Sequence, residues 1–202
     1  MEVNATIVKE LREKTGAGFM DCKRALAETG GNLEKAVDYL RQKGLAAAAR
    51  KADRVATDGA VGAYVHPGGK IGVLVEINCQ TDFVARTTEF QALLKDIAMQ
   101  VAAASPRYVR REEVPAEELE KEKSIYRQQA LEQGKPEKVV DTIIQGKMER
   151  FYSESCLLEQ SFIKDPDKKV SDIVADAVAR LGENIQVRRF ARYHLGDGVP
   201  KN

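Results

Sequence analysis

A chain of 202 residues and 22.3 kDa has room for one ordinary domain and a small second unit, but not for two full-sized domains. With 43% hydrophobic and 31% charged residues, 6% aromatics and no Trp, it fits a helix-rich globular protein and excludes collagen, disulfide scaffolds and membrane spans. The 32 Lys and Arg nearly cancel the 31 Asp and Glu, so no uniform positive field is available and nucleic acid is not an expected partner.

Three short helical patterns open the chain, carried by Ile7, Val8 and Leu11, then Met20, Ala25 and Leu26, then Leu33, Ala36, Val37 and Leu40. Asn4 and Asn32 stand where N-caps belong, and Gly16, Gly30 and Gly44 where left-handed stops belong. A thin-cored bundle of three helices is expected, followed at residues 46–54 by an Ala-rich, basic helical linker. Residues 1–54 thus form one segment and residues 55–202 a second.

From Gly59 the period changes to two: Val61, Ala63 and Val65 alternate, Pro67-Gly68-Gly69 supplies a turn, and Ile71, Val73, Val75 and Ile77 alternate again. A β-hairpin with one buried face is expected. Phe90, Leu93, Leu94, Ile97 and Val101, after a Thr88 cap, predict a helix that covers that face. Residues 115–152 read as a helical hairpin broken at Gly134-Lys135-Pro136. Val170 to Leu181 form a further amphipathic helix stopped by Gly182, and residues 185–195 read as a last strand, with Phe190 out of phase with Ile185, Val187, Ala191 and Tyr193. The fold class is α+β: a helical N-terminal module, then a core with a small antiparallel sheet, covering helices and a helical hairpin.

Little in the chain points to covalent chemistry. Cys22, Cys79 and Cys156 are odd in number and far apart, so reduced structural thiols are expected, with no disulfide framework and no metal. Cys79 with His66, His194 and Asp82 offers only a weak nucleophile reading, because no nucleophile motif surrounds the cysteine. No phosphate-binding loop is present, and residues 15–19 lack the spacing of a dinucleotide fingerprint, so neither a cofactor nor direct nucleotide binding is expected. The basic groups Arg50, Lys51 and Arg54, and Arg188, Arg189 and Arg192, read as solvated faces. No apolar run reaches the ~18 residues of a spanning helix. The N-terminus from Met1 to Leu11 carries acids among its bases, so a cytoplasmic protein without a membrane partner is expected.

The unusual local feature is Cys79-Gln80-Thr81-Asp82-Phe83-Val84-Ala85-Arg86, directly after an apolar strand. Asp and Thr favour a turn there and put an aromatic at an element junction. Thr81-Asp82-Phe83-Val84-Ala85-Arg86 after an apolar strand resembles the signature of the translation elongation factor Ts family, the nucleotide-exchange factors of elongation factor Tu. The stretch from Leu11 to Leu26 resembles the family's N-terminal signature on a UBA-like three-helix module. Gly72 to Glu76, Gly134-Lys135-Pro136 and Gly182-Glu183-Asn184-Ile185 match as well, in order, over residues 3–198.

The resemblance implies a guanine-nucleotide exchange factor and not an enzyme. It places Arg12, Phe19, Met20 and Lys23 against the GTP-binding domain of elongation factor Tu, and His66, Leu181 and Gly182 on further partner contacts. It gives Thr81, Asp82, Phe83 and Val84 the task of displacing the partner's Mg²⁺ and phosphate site. The single core module is that of the family's short members, which implies a homodimer. The other reading the residues allow is a UBA-like protein- or RNA-binding module without exchange activity.

Overall fold

A computed structural model describes residues 4–198, so residues 1–3 and 199–202, at the outer ends of the two expected segments, lie outside the described residues. The helices are α1 (Ala5–Thr15), α2 (Phe19–Glu28), α3 (Leu33–Lys51), α4 (Asp82–Ala85), α5 (Thr88–Ala104), α6 (Ala116–Glu132), α7 (Glu137–Ser155) and α8 (Val170–Leu181). The strands are β1 (Asp58–Val65), β2 (Ile71–Cys79), β3 (Ser161–Phe162), β4 (Asp165–Lys169) and β5 (Gln186–His194). A three-stranded antiparallel sheet has the order β1-β2-β5, and β3 pairs with β4 in a second, two-stranded sheet. The class is α+β, as expected. Among the described residues no helix is long and apolar enough to cross a membrane.

The chain forms two compact units. One runs to Val61 and adds Glu76–Leu94 and Asp172–Val187; the other holds Gly62–Val75, Lys95–Ser171 and the chain from Arg188. In the first, the side chains of Val8, Leu11, Cys22, Ala25, Leu26 and Ala36 form the core of the opening helices. Asn4 and Asn32 cap α1 and α3 as expected, their side-chain oxygens accepting from the Thr6 and Lys35 N–H groups at 2.9 Å each. Gly16 ends α1 at φ +66°.

Gly44 does not end α3. The helix continues to Lys51, and a Cβ built at buried Gly44 would lie 3.6 Å from the Ala179 Cβ, so this glycine permits close approach to α8. The Arg41 guanidinium pairs with Asp172 at 2.7 Å on the same interface. Lys51 Nζ donates to the Val178 carbonyl at 3.4 Å. The Ala-rich stretch is helical as read, but most of it is the end of α3, packed on α8.

The β1–β2 hairpin forms with the expected turn, in which the Gly69 N–H donates to the His66 carbonyl at 2.9 Å. Its buried face differs. The His66 N–H bonds the Ile71 carbonyl, which sets odd-numbered β1 residues opposite even-numbered β2 residues. Val73, Val75 and Ile77 are therefore buried, while Val61 and Val65 are both 67% exposed. The α5 residues Phe90, Leu93, Leu94, Ile97 and Val101 are buried as predicted. The helix is capped by Thr87 and not by Thr88: the Thr87 hydroxyl accepts from the Phe90 N–H at 3.2 Å. In β5, Val187 is buried, Arg188 and Arg189 are both exposed, and Tyr193 is 71% exposed, so the simple alternation does not hold.

In the second unit α6 and α7 form the expected hairpin around Ala130, Val140, Ile144, Met148 and Phe151. Its base is held by charge: both Arg107 amino groups reach Glu118 at 2.6 and 2.9 Å. Arg111 bonds Glu149 and Glu159 and stacks 4.5 Å from the centre of the Tyr152 ring. The hydrogen bond from the Tyr108 hydroxyl holds the Glu118 carboxyl below the usual glutamate range, and those from Arg111 do the same for Glu149 and Glu159. The β3–β4 hairpin was not expected. It is anchored by buried Gln100, whose amide donates to Gln160 at 3.1 Å and accepts from the Ile163 N–H at 2.8 Å.

Candidate functional site

The segment after β2 begins with a buried thiol. Cys79 Sγ donates to the Thr81 carbonyl at 3.1 Å, and burial, reinforced by the Glu183 carboxylate, pushes its pKa up. A thiol kept protonated in this way ties the loop down and is a poor nucleophile. Cys22 and Cys156 are also buried and free, the latter pushed up to about 11 by burial.

Thr81 then adopts the extended conformation of an N-cap and starts the four-residue helix α4. Its hydroxyl accepts from the Val84 N–H at 3.5 Å, the outer edge of hydrogen-bond range. Asp82, half-buried, pairs with Arg86 one turn on, at 2.6 Å. Ala85 points inward, and the Gln91 amide donates to its carbonyl at 2.8 Å. With Ala85 facing in, Phe83 is turned outward and is 78% exposed. An exposed Phe on a helix of one turn is costly to leave in water and available to a partner.

The segment after α8 supports this loop from the side. Gly182 ends α8 at φ +80°, which turns Glu183 back toward β2. The Glu183 carboxylate accepts from the Gln80 and Thr81 N–H groups at 3.0 Å each and from the Thr81 hydroxyl at 2.6 Å. Buried Asn184 donates its backbone N–H to the Gln80 side chain at 2.9 Å, and its amide donates to the Ala52 and Arg54 carbonyls at 3.1 and 2.7 Å. At the other end of the same segment, a Cβ built at Gly16 would lie 3.0 Å from Arg180 Nη1, so Arg180 rests against the α1–α2 turn.

The site residues named from the sequence therefore fall into two groups. Arg12, Phe19, Met20 and Lys23 are all exposed on α1 and α2, with Phe19 at 50% and Met20 at 64%. They share the first unit with half-buried Leu181, exposed Gly182 and the Thr81–Val84 loop, and the 180–184 segment touches both the helical turn and the loop. His66 belongs to the second unit, exposed at the hairpin turn, with its Nδ1 3.1 Å from the Tyr64 hydroxyl. Gln80 lies in the 79–86 segment and Glu183 and Asn184 in the 182–185 stretch, but no sequence pattern assigns these three residues the role of holding the loop. The arrangement presents an apolar side chain on a braced support.

The family model described as Elongation factor TS matches residues 3–197. The Elongation factor Ts of Heliobacterium modesticaldum is 64% identical over 199 residues, covering 98% of this chain and 93% of that protein. That of Geobacter sulfurreducens is 63% identical over 201 residues, 100% of this chain and 93% of its own length. That of Anaeromyxobacter dehalogenans is 64% identical over 200 residues, 99% of this chain and 91% of its own.

Proposed function

This chain belongs to the elongation factor Ts family, and from that premise we propose that it is a guanine-nucleotide exchange factor. It binds elongation factor Tu in the cytoplasm and promotes GDP release during translation elongation, without covalent chemistry of its own. The observation that carries this reading is Phe83, 78% exposed on a loop held by Cys79, Gln80 and Thr81. Tight GDP binding rests on backbone amides around the phosphates and on Mg²⁺, so a wedge that shifts the elements supporting them loosens the nucleotide without hydrolysing it. Phe83 is that wedge, with Thr81, Asp82 and Val84 shaping its base.

Residues 1–54, the UBA-like module, dock on the GTP-binding domain of the partner through Arg12, Phe19, Met20 and Lys23. Leu181, Gly182 and His66 supply further contacts. Stopped-flow release of a fluorescent GDP from elongation factor Tu is expected to accelerate with the concentration of this chain and to saturate. Binding to elongation factor Tu without acceleration would replace this reading with that of a plain interaction module.

The functional assembly is a homodimer made by the core, residues 55–202. In the second unit Val65 (67%), Leu74 (48%) and Tyr193 (71%) are exposed on sheet strands, and Leu195 (73%) follows them. Val65 and Leu74 share the outward face of the hairpin by the odd–even pairing. A second copy that covers this face removes apolar surface a monomer leaves in water. Sedimentation equilibrium in reducing buffer is expected to return the dimer mass at micromolar concentration. A monomer at concentrations where exchange is already maximal would remove the dimer from the mechanism.

A further inference from the structure

We infer that Glu183 is a positioning residue for nucleotide exchange, holding the Thr81–Val84 loop in the shape that presents Phe83. The inference rests on the exchange reading above and adds a residue to it. A helix of four residues cannot hold itself, because nucleating one turn fixes three residues for one hydrogen bond. Its cap is weak as well, with 3.5 Å between the Thr81 oxygen and the Val84 N–H. The conformation is therefore imposed from outside. Cys79 and Gln91 hold the Thr81 and Ala85 carbonyls, and Glu183 fixes the start of the loop with a single carboxylate that accepts from three donors, the Gln80 N–H, the Thr81 N–H and the Thr81 hydroxyl.

The geometry explains why a carboxylate is needed there. Two backbone N–H groups converge on one oxygen and a hydroxyl on the other, so every donor meets an acceptor only if neither oxygen carries hydrogen. With its proton committed to Glu183, the Thr81 hydroxyl has only lone pairs left for the Val84 N–H, which fixes the sense of the cap. Glu183 is itself fixed by its neighbours: Gly182 makes the turn at φ +80° and Asn184 is buried and tied to Gln80. Phe83 then projects without having to search for its orientation at the moment of contact, and such preorganisation lowers the cost of reaching the distorted partner state.

The test uses the full chain and stopped-flow release of fluorescent GDP from elongation factor Tu. Glu183→Gln keeps the size of the side chain but replaces one acceptor by a donor. It is expected to lower the maximal release rate roughly tenfold to a hundredfold, with a much smaller change in the half-saturating concentration. Amide hydrogen exchange at Gln80 and Thr81 should accelerate in the same variant. Because Glu183 acts through Phe83, adding Glu183→Gln to Phe83→Ala is expected to cost little beyond Phe83→Ala alone. If Glu183→Gln does not fold, Glu183→Asp, which keeps the charge one carbon short of its donors, carries the same readouts. A folded variant with exposed Gln80 and Thr81 amides and an unchanged maximal rate overturns the assignment, as does a double variant whose losses simply multiply. A wild-type chain that fails to accelerate release overturns the exchange reading, and this assignment falls with it; an active wild type with an unaffected variant overturns this assignment alone.

Discussion

Replacing Phe83 with alanine is expected to reduce GDP release from elongation factor Tu by roughly ten- to a hundredfold while leaving the fold intact. The size follows from burial: moving a Phe side chain from water into a partner contributes about 1.5–3 kcal/mol, and each 1.4 kcal/mol is a factor of ten in rate. The intact fold follows from the exposure of the side chain, 78%, since a group mostly in water contributes little to the native core. Circular dichroism melts should therefore superimpose on those of the wild type. The loss should fall on the maximal rate more than on the half-saturating concentration, because the wedge acts on the distorted state more than on the initial encounter. A folded variant that exchanges at the wild-type rate would end the wedge proposal, and a variant that unfolds would show that Phe83 serves the fold and not the partner.

Which parts of this molecule could be read from the chain depends on how far apart the cooperating residues are. Asn4 and Asn32 were legible as caps because each acts on an N–H two or three residues away. Gly44 was not, because a glycine ends a helix or permits a close approach according to what faces it, and here Ala179 faces it from α8. The hairpin face shows the same limit. Both strands alternate clearly, but which set is buried depends on the parity set at the turn, and pairing His66 with Ile71 puts the apolar sets of β1 and β2 on opposite sides. The β3–β4 hairpin left no pattern to read, since β3 has two residues and β4 is made of Asp, Pro and Lys.

The site was legible in its tip and hidden in its support. Thr81 and Asp82 announce a turn, and an aromatic beside them stands out against a chain with only 6% aromatics. Nothing near Thr81 indicates what holds it, because Glu183 lies 102 residues further on and is one acid among 31 Asp and Glu. The stop at Gly182 gives the only local hint: a glycine that ends an amphipathic helix and is followed by polar residues directs them at whatever lies beside the helix end.

The largest effect on stability is expected from Gly59→Ala. Gly59 sits in β1 at φ +141°, a region open to glycine and strained for any residue with a Cβ. Space is lacking as well. A Cβ built there falls 2.1 Å from the Ile77 carbonyl oxygen and 2.8 Å from the Asn78 Cα, both backbone atoms of the neighbouring strand that cannot rotate aside. Relief requires β1 and β2 to separate or Gly59 to leave its conformation, and either move strains the contact in which the Asn78 amide donates to the Asp58 carbonyl at 3.2 Å. Strain and clash together should cost on the order of 3 kcal/mol, which for a chain of this length lowers the thermal midpoint by roughly 6–12 °C. Gly72→Ala is the matched control, because Gly72 lies in β2, has no positive φ and no atom within 4 Å of an added Cβ. Ile77 and Asn78 immediately precede Cys79, Gln80 and Thr81, so the displaced strand also carries the base of the Phe83 loop. The Gly59 variant should therefore lose exchange activity even below its melting point. Equal melting points for the two would show that β2 yields at Ile77, and that the close approach at Gly59 is not needed to hold the strand beneath the wedge.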